Sequence, residues 1–141
     1  MTVKGIVIHN TNIQKSAHMC EKMMLEGKDS RGTHFFVDED IVQVMPLDWS
    51  CFNTGKGLDF GNTQCIAIEI CSNLNTQKYF KAEQTAVELI KELMKEFNLT
   101  TEDIYFHRDF DSTVNCPADI LRIYKDKKSF IRRYFNEQQD V

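Results

Sequence analysis

Hydrophobic positions along the 141-residue chain follow two kinds of pattern. Short apolar runs rich in β-branched residues predict buried strands. Apolar residues that recur every three or four positions predict helices with one buried face. The predicted strands cover residues 4–9, 33–37, 41–45, 65–71 and 104–107, and the predicted helices cover residues 16–25, 80–97, 118–124 and 129–135.

Because these strands and helices interleave, the pattern predicts an α/β fold. We expect a single domain over residues 1–141, with a mixed central β-sheet of about five or six strands flanked by helices. The acidic stretch at residues 38–40 lies between two short apolar runs and predicts a hairpin. Residues 136–141 are predicted to be a polar tail.

Charge and composition exclude some classes of partner. The net charge is −4 and the sequence pI is about 5.5, which disfavours nucleic acid and anionic membrane surfaces as partners. No run approaches the roughly 20 apolar residues of a membrane span. The N-terminus enters a strand-like run without the features of a signal peptide, so we expect synthesis in the cytoplasm. A monomer is the default expectation, and the odd count of five cysteines does not predict a disulfide framework.

Three residues suggest a metal site: His9, His107 and Cys116. Both histidines fall at ends of predicted strands, where α/β proteins build their sites. Two imidazoles and one thiolate are ligands that zinc prefers, and three protein ligands leave a fourth position open for chemistry. Taken alone, the spacing is also compatible with ordinary surface or core histidines and a buried thiol.

Glu69 interrupts the otherwise apolar strand at residues 65–71. A carboxylate in a strand buried on both faces needs a partner or a metal nearby. It would suit a general base acting beside a metal. The alternative is a carboxylate on a solvated edge or paired with a lysine.

Five segments of the chain, in this order, resemble the type 2 N-acetylmuramoyl-L-alanine amidases, a family that includes phage endolysins, bacterial autolysins and animal peptidoglycan recognition proteins. The segments are IVIHNT (6–11), GTHFFVD (32–38), IAIEICSN (66–73), HRD (107–109) and NCP (115–117). The resemblance covers nearly the whole chain.

This resemblance implies a role for each candidate residue. The family's zinc ligands fall on His9, His107 and Cys116, and its catalytic glutamate falls on Glu69. The implied reaction is hydrolysis of the amide between N-acetylmuramic acid and L-alanine in bacterial peptidoglycan, with zinc at the floor of an open groove. Together with the missing export signal, it implies a phage or prophage endolysin that acts on the bacterial cell wall.

Some positions depart from the family's pattern. Many relatives carry a lysine two residues before the cysteine, where this chain has Val114, so Thr113 becomes the candidate donor to the oxyanion. Asn53 stands where many relatives have a histidine. We expect Asn53 and His34 to line the substrate groove, although His34 fits a structural histidine equally well. Asp109 could orient His107, but a capping role is the preferred interpretation.

Two other functions remain open from the sequence. The first is a recognition module that binds peptidoglycan without cutting it, although Cys116 and Glu69 favour the enzyme. The second is a structural zinc site with four protein ligands, in which Cys71 or His34 would be the fourth.

Overall fold

The computed structural model describes residues 1–28, 32–55 and 57–135. Its centre is a sheet of five strands: β1 (Gly5–Asn10), β2 (Phe35–Val37), β3 (Ile41–Gln43), β4 (Cys65–Ile70) and β5 (Ile104–Phe106). Their order across the sheet is β3-β2-β4-β1-β5. Strand β1 is parallel to β4 and β5, β2 is parallel to β4, and β2 is antiparallel to β3. The mixed sheet and the α/β class are therefore confirmed, and the predicted tail at 136–141 lies outside the described residues.

Helices cover both faces of the sheet. All four predicted helices are present, and two short ones, α2 and α4, were not predicted. The longest helix, α3, begins four residues before the predicted start at residue 80, because the side chain of Asn75 caps it by accepting a hydrogen bond from the Lys78 amide at 3.0 Å. The helices are α1 (Ala17–Leu25), α2 (Phe60–Thr63), α3 (Thr76–Glu96), α4 (His107–Phe110), α5 (Ala118–Tyr124) and α6 (Lys127–Tyr134).

The core has two parts, one on each face of the sheet. The larger part joins β1, β2, β4 and β5 to helices α3, α5 and α6, and it includes Ile8, Ile68, Ile90, Ile120 and Phe130. The smaller part lies under α1 and consists of Ala17, Cys20, Phe36, Val42 and Cys71. Side chains alternate between the two faces of a strand, which is how β1 and β4 supply a core on one face and a polar site on the other.

The ends of three parallel strands position the candidate site. His9 of β1 is paired with Glu69 of β4, so both side chains lie on the same face of the sheet. Strand β5 ends at Phe106, and His107 starts α4, whereas the sequence pattern had placed His107 in the strand. The neighbouring parallel strands thereby bring His9, Glu69 and His107 to one edge of the sheet.

Within the described ranges, none of the helices combines the length and the apolar character needed to cross a membrane.

Candidate metal centre

His9, His107 and Cys116 meet at the carboxyl ends of β1 and β5. Each offers one ligand atom, and these atoms lie within 4.8 Å of one another. The rings of His9 and His107 are 4.8 Å apart between centroids and are tilted by 58°. His9 is 1% exposed, whereas His107 and Cys116 are half-buried. The cluster is therefore closed on the protein side and accessible on the other.

His9 presents its Nδ1 atom to the centre of the cluster. The Sγ atom of Cys116 lies 3.4 Å from His9 Nδ1. A tetrahedral zinc with a Zn–N bond of about 2.05 Å and a Zn–S bond of about 2.3 Å separates the two ligand atoms by about 3.5 Å. The donor set and this spacing fit zinc, with three protein ligands and one open position.

Glu69 lies beside the cluster on the neighbouring strand. Its Oε2 atom is 4.0 Å from His9 Nδ1, and the residue is 2% exposed. Burial raises the pKa of the nearby Cys51 thiol to about 12, and the negative charge of Glu69 adds to this effect. The buried carboxylate expected from the sequence thus faces the ligand cluster, where it can exchange a proton with a reacting group.

Hydrogen bonds from two directions hold the segment that carries Cys116. The amide of Arg108 donates to the carbonyl of Cys116 at 3.0 Å, which closes the loop between His107 and Cys116. After Cys116, the amides of Asp119 and Ile120 both donate to Asn10 Oδ1, at 2.9 and 3.1 Å. The residue after His9 therefore caps α5, the helix that follows Cys116.

A buried carboxylate anchors this arrangement from behind the sheet. Asn10 Nδ2 donates to the Tyr79 hydroxyl at 3.2 Å, and that hydroxyl donates to Glu83 at 2.9 Å. Glu83 also accepts hydrogen bonds from the hydroxyls of Tyr124, at 2.5 Å, and Tyr134. Burial raises the pKa of all three tyrosines, that of Tyr134 to about 12, so the hydroxyls remain donors at neutral pH.

Asn53 lies directly beneath the cluster. Its Oδ1 atom is 2.9 Å from His9 Nε2, and the residue is 4% exposed, so it does not line the groove surface. Asn62 of α2 fixes the backbone on either side of this side chain, because its Oδ1 accepts hydrogen bonds from the amides of Asn53 and Thr54 at 2.7 and 2.9 Å. Gly61 packs so closely that a Cβ atom there would lie 2.5 Å from Thr54 Cγ2.

His34 also lies inside the protein, with no exposed surface. Its Nδ1 accepts a hydrogen bond from the Ala67 amide at 3.0 Å, and its Nε2 donates to the Trp49 carbonyl at 2.7 Å. Burial lowers the pKa of its imidazole, and the bond to the Trp49 carbonyl opposes this only in part. The ring thus joins β2 to β4 and to the 49–53 loop as a neutral group.

Thr113 and Asp109 make local contacts. Thr113 is exposed, and its hydroxyl donates to Asp111 Oδ1 at 2.6 Å. Asp109 Oδ2 accepts from the Phe106 amide at 2.8 Å and from Lys127 Nζ at 2.8 Å, as expected for a capping residue at the start of α4. Cys71 packs in the small core under α1, and the three-ligand cluster found among the described residues includes neither Cys71 nor His34.

No pattern in the sequence identified Asn10, Asn62 or Glu83 as part of this site. The available signal was their residue type, since an asparagine at a strand end and a glutamate on the apolar face of a helix both need buried partners. The partners of Asn10 and Glu83 lie 41 to 110 positions away in sequence, except that Glu83 also contacts Tyr79, four residues earlier in α3. Asn62 contacts residues of the loop before α2, so a local pattern identified none of the three.

Comparisons with known proteins agree with this geometry. The profile of the N-acetylmuramoyl-L-alanine amidase family matches residues 1–119. The N-acetylmuramoyl-L-alanine amidase XlyB of Bacillus subtilis (strain 168) is 33% identical over 124 residues, which are 86% of this chain and 39% of XlyB. The chain therefore spans well under half the length of that relative.

Two solved structures are similar over nearly the whole chain. The structure of PlyL has a TM-score of 0.87 and 28% identity, covering 95% of this chain and 84% of PlyL. A mutant endolysin from Bacillus subtilis has a TM-score of 0.82 and 31% identity, covering 92% of this chain and 85% of that structure. With the family profile matching 119 residues in one block, this chain belongs to the N-acetylmuramoyl-L-alanine amidase family.

Proposed function

We propose that this chain hydrolyses the amide bond between the lactyl group of N-acetylmuramic acid and L-alanine in bacterial peptidoglycan. The observation that carries the proposal is the convergence of His9, His107 and Cys116 within 4.8 Å, with the Glu69 carboxylate 4.0 Å from His9 Nδ1. Family membership supports the same reaction.

His9 Nδ1, the His107 imidazole and the Cys116 thiolate would hold a zinc ion. When bound, zinc would polarise the scissile carbonyl and make a water molecule beside it more acidic. The ligand set supports zinc because imidazole and thiolate together are poor ligands for magnesium or calcium. The accessible side of the cluster leaves room for the substrate carbonyl.

Glu69 is the proposed general base. Its Oε2 takes a proton from the attacking water and later returns it to the departing nitrogen of L-alanine. The carbon–nitrogen bond breaks as a carbon–oxygen bond forms, and the products are a lactyl carboxylate and a new amino terminus. Burial at 2% exposure keeps the Glu69 carboxylate in one place, which favours such a proton transfer.

Thr113 remains the proposed additional donor to the developing oxyanion. In that role its hydroxyl stops donating to Asp111 and donates to the substrate oxygen instead, which the exposed position of Thr113 allows. A Thr113→Val variant tests this, because loss of one oxyanion donor lowers kcat about 100-fold or more. An unchanged kcat would remove Thr113 from the mechanism.

The biological setting that we propose is lysis by a phage or prophage endolysin. Likeness to an endolysin from Bacillus subtilis supports this role. Expression of the chain in the cytosol should leave host cells intact until their membrane is permeabilised. Cell-wall damage without permeabilisation would contradict the endolysin role but not the amidase reaction.

The bond that is cut can be identified directly. Purified peptidoglycan is digested with the zinc-loaded chain, and the products are analysed by mass spectrometry after labelling of amino groups and reducing ends. We expect new L-alanine amino termini without new reducing sugars. New reducing ends would indicate a glycosidase, and binding without any release would indicate a recognition module.

A further inference from the structure

On the side away from the cluster, the His9 ring contacts the neutral side-chain amide of Asn53. His9 Nε2 and Asn53 Oδ1 are 2.9 Å apart, and both residues are at most 4% exposed. A neutral imidazole carries one proton, which can lie on either ring nitrogen. The contact with Asn53 therefore determines which nitrogen keeps a lone pair.

The surroundings of the Asn53 amide fix its orientation. Its Nδ2 group lies 3.1 Å from the Cys51 carbonyl, 3.1 Å from the Gly61 carbonyl and 3.3 Å from Asn62 Oδ1. All three neighbours are acceptors, so the NH2 group must face them and the carbonyl oxygen must face His9. The amide oxygen carries no proton, which means that His9 Nε2 has to donate.

This assignment leaves the lone pair on His9 Nδ1. That atom is the one 3.4 Å from Cys116 Sγ and 4.0 Å from Glu69 Oε2. A proton on Nδ1 would occupy the position that a metal needs, and the nearby Glu69 carboxylate would favour that proton if nothing opposed it. The hydrogen bond to Asn53 disfavours a proton on Nδ1, because it keeps the ring's proton on Nε2.

We propose that Asn53 is a positioning residue that holds His9 in its Nε2–H tautomer, so that Nδ1 is ready to bind zinc. The inference rests on the metal site of the proposed function, but its readouts do not depend on catalysis. Partners of this kind typically change metal affinity by about 10-fold to 100-fold.

Two substitutions at Asn53 separate positioning from simple packing. Asn53→Leu keeps a similar size but removes the acceptor. Asn53→Asp keeps an acceptor for His9 but replaces the NH2 group with an oxygen facing three acceptors, so it should cost more fold stability. If Asn53 positions His9, the tautomer and the zinc affinity should change only in the variant that lacks the acceptor, Asn53→Leu. If Asn53 has only a structural role, both should change in proportion to the loss of fold stability.

Thr54→Val is the matched control in the same loop. Thr54 is fully buried, and its hydroxyl donates to the carboxylate of Asp59 at 2.7 and 2.9 Å. This change should loosen the loop but leave the Asn53 carbonyl opposite His9.

The experiment measures His9 nitrogen shifts by NMR in the metal-free protein at a pH where the ring is neutral, and zinc affinity by competition with a chelator. We expect protonated Nε2 in the wild type, Asn53→Asp and Thr54→Val, and mixed tautomers with about 10-fold to 100-fold weaker zinc binding in Asn53→Leu. A wild-type His9 protonated at Nδ1 would overturn the proposal. So would unchanged zinc affinity in Asn53→Leu, or an equal loss in Thr54→Val. These readouts stand even if the zinc-loaded chain fails to cut peptidoglycan, so the two proposals can fail separately.

Discussion

His9 and Glu69 occupy paired positions on adjacent parallel strands, with 4.0 Å between Nδ1 and Oε2. Strand register thus sets the distance from the proposed ligand to the proposed base. Because side chains alternate along a strand, a slip of one residue would turn Glu69 into the apolar core on the opposite face. The two buried strands therefore do more than build a core, since their register assembles the site.

The role of Glu69 predicts a clear separation of binding from turnover. Glu69→Gln should keep one bound zinc while the turnover of peptidoglycan falls by about 100-fold to 10,000-fold, because the amide cannot accept the proton. Zinc content and release of amino termini are measured on the same preparation. Glu88→Gln, an exposed change on α3, is the control and should behave as wild type. Full activity in Glu69→Gln would reject Glu69 as the base.

The cysteines should differ sharply in reactivity. Cys116 is half-buried, whereas the other four cysteines are buried, and burial raises the pKa of Cys51 and Cys65 to about 12. Because the thiolate is the reactive form, an alkylating reagent should label Cys116 first in the native metal-free chain. Bound zinc should protect it, and peptide mapping by mass spectrometry identifies the labelled site. Labelling of Cys116 at the same rate with and without zinc would contradict its role as a ligand.

His34 predicts a loss of stability in acid. Burial lowers the pKa of His34 in the folded state below 6.5, so below that pH the unfolded chain binds the proton more readily. The free energy of unfolding should therefore fall as the pH drops from 7 to 5, with a contribution from His34 of at most about 2 kcal/mol.

The variant His34→Gln isolates this contribution. It should lower stability at pH 7, because the contacts of the ring are lost, but the further loss between pH 7 and pH 5 should be smaller than in the wild type. His18→Gln is the control, since the His18 side chain is 65% exposed. Urea unfolding of zinc-free proteins at both pH values gives the comparison. An identical pH dependence in His34→Gln and wild type would contradict the assignment of His34 as a buried neutral group.

The Glu83 network predicts an effect on the stability of the fold. Glu83→Gln removes one acceptor oxygen from three tyrosine hydroxyls, so the free energy of unfolding should fall by about 1–3 kcal/mol. Denaturant unfolding measures this, with Glu88→Gln again as the control. Unchanged stability would mean that the hydroxyls find other partners at no cost.

The sequence predicted the parts of the fold that have local patterns. The apolar run at 65–71 became the buried strand β4 between β2 and β1. The predicted helix at 80–97 corresponds to α3, which ends one residue earlier, at Glu96. Helix α2 was missed because its four residues are too few to show a period. The start of α3 was placed too late because its first turn is polar and is determined by the cap at Asn75.

The candidate ligands could be named from their residue types and from family resemblance. The residues that hold those ligands in position could not be named in this way. Asn53 was expected on the groove surface, whereas it lies beneath His9, with its orientation set by Cys51, Gly61 and Asn62. That position depends on contacts with Gly61 and Asn62 of α2, eight and nine residues further along the chain. A hydrogen-bond network joining residues from separate elements leaves no periodic trace in a sequence.

The proposed amide hydrolysis requires one metal ion held by His9, His107 and Cys116. The most direct test is a titration of chelator-stripped chain with zinc, recording the rate at which new L-alanine amino termini appear from peptidoglycan. We expect no release without zinc, and a rate that rises linearly with added zinc to a plateau at one equivalent. Full release by the stripped chain would show that the metal is not required.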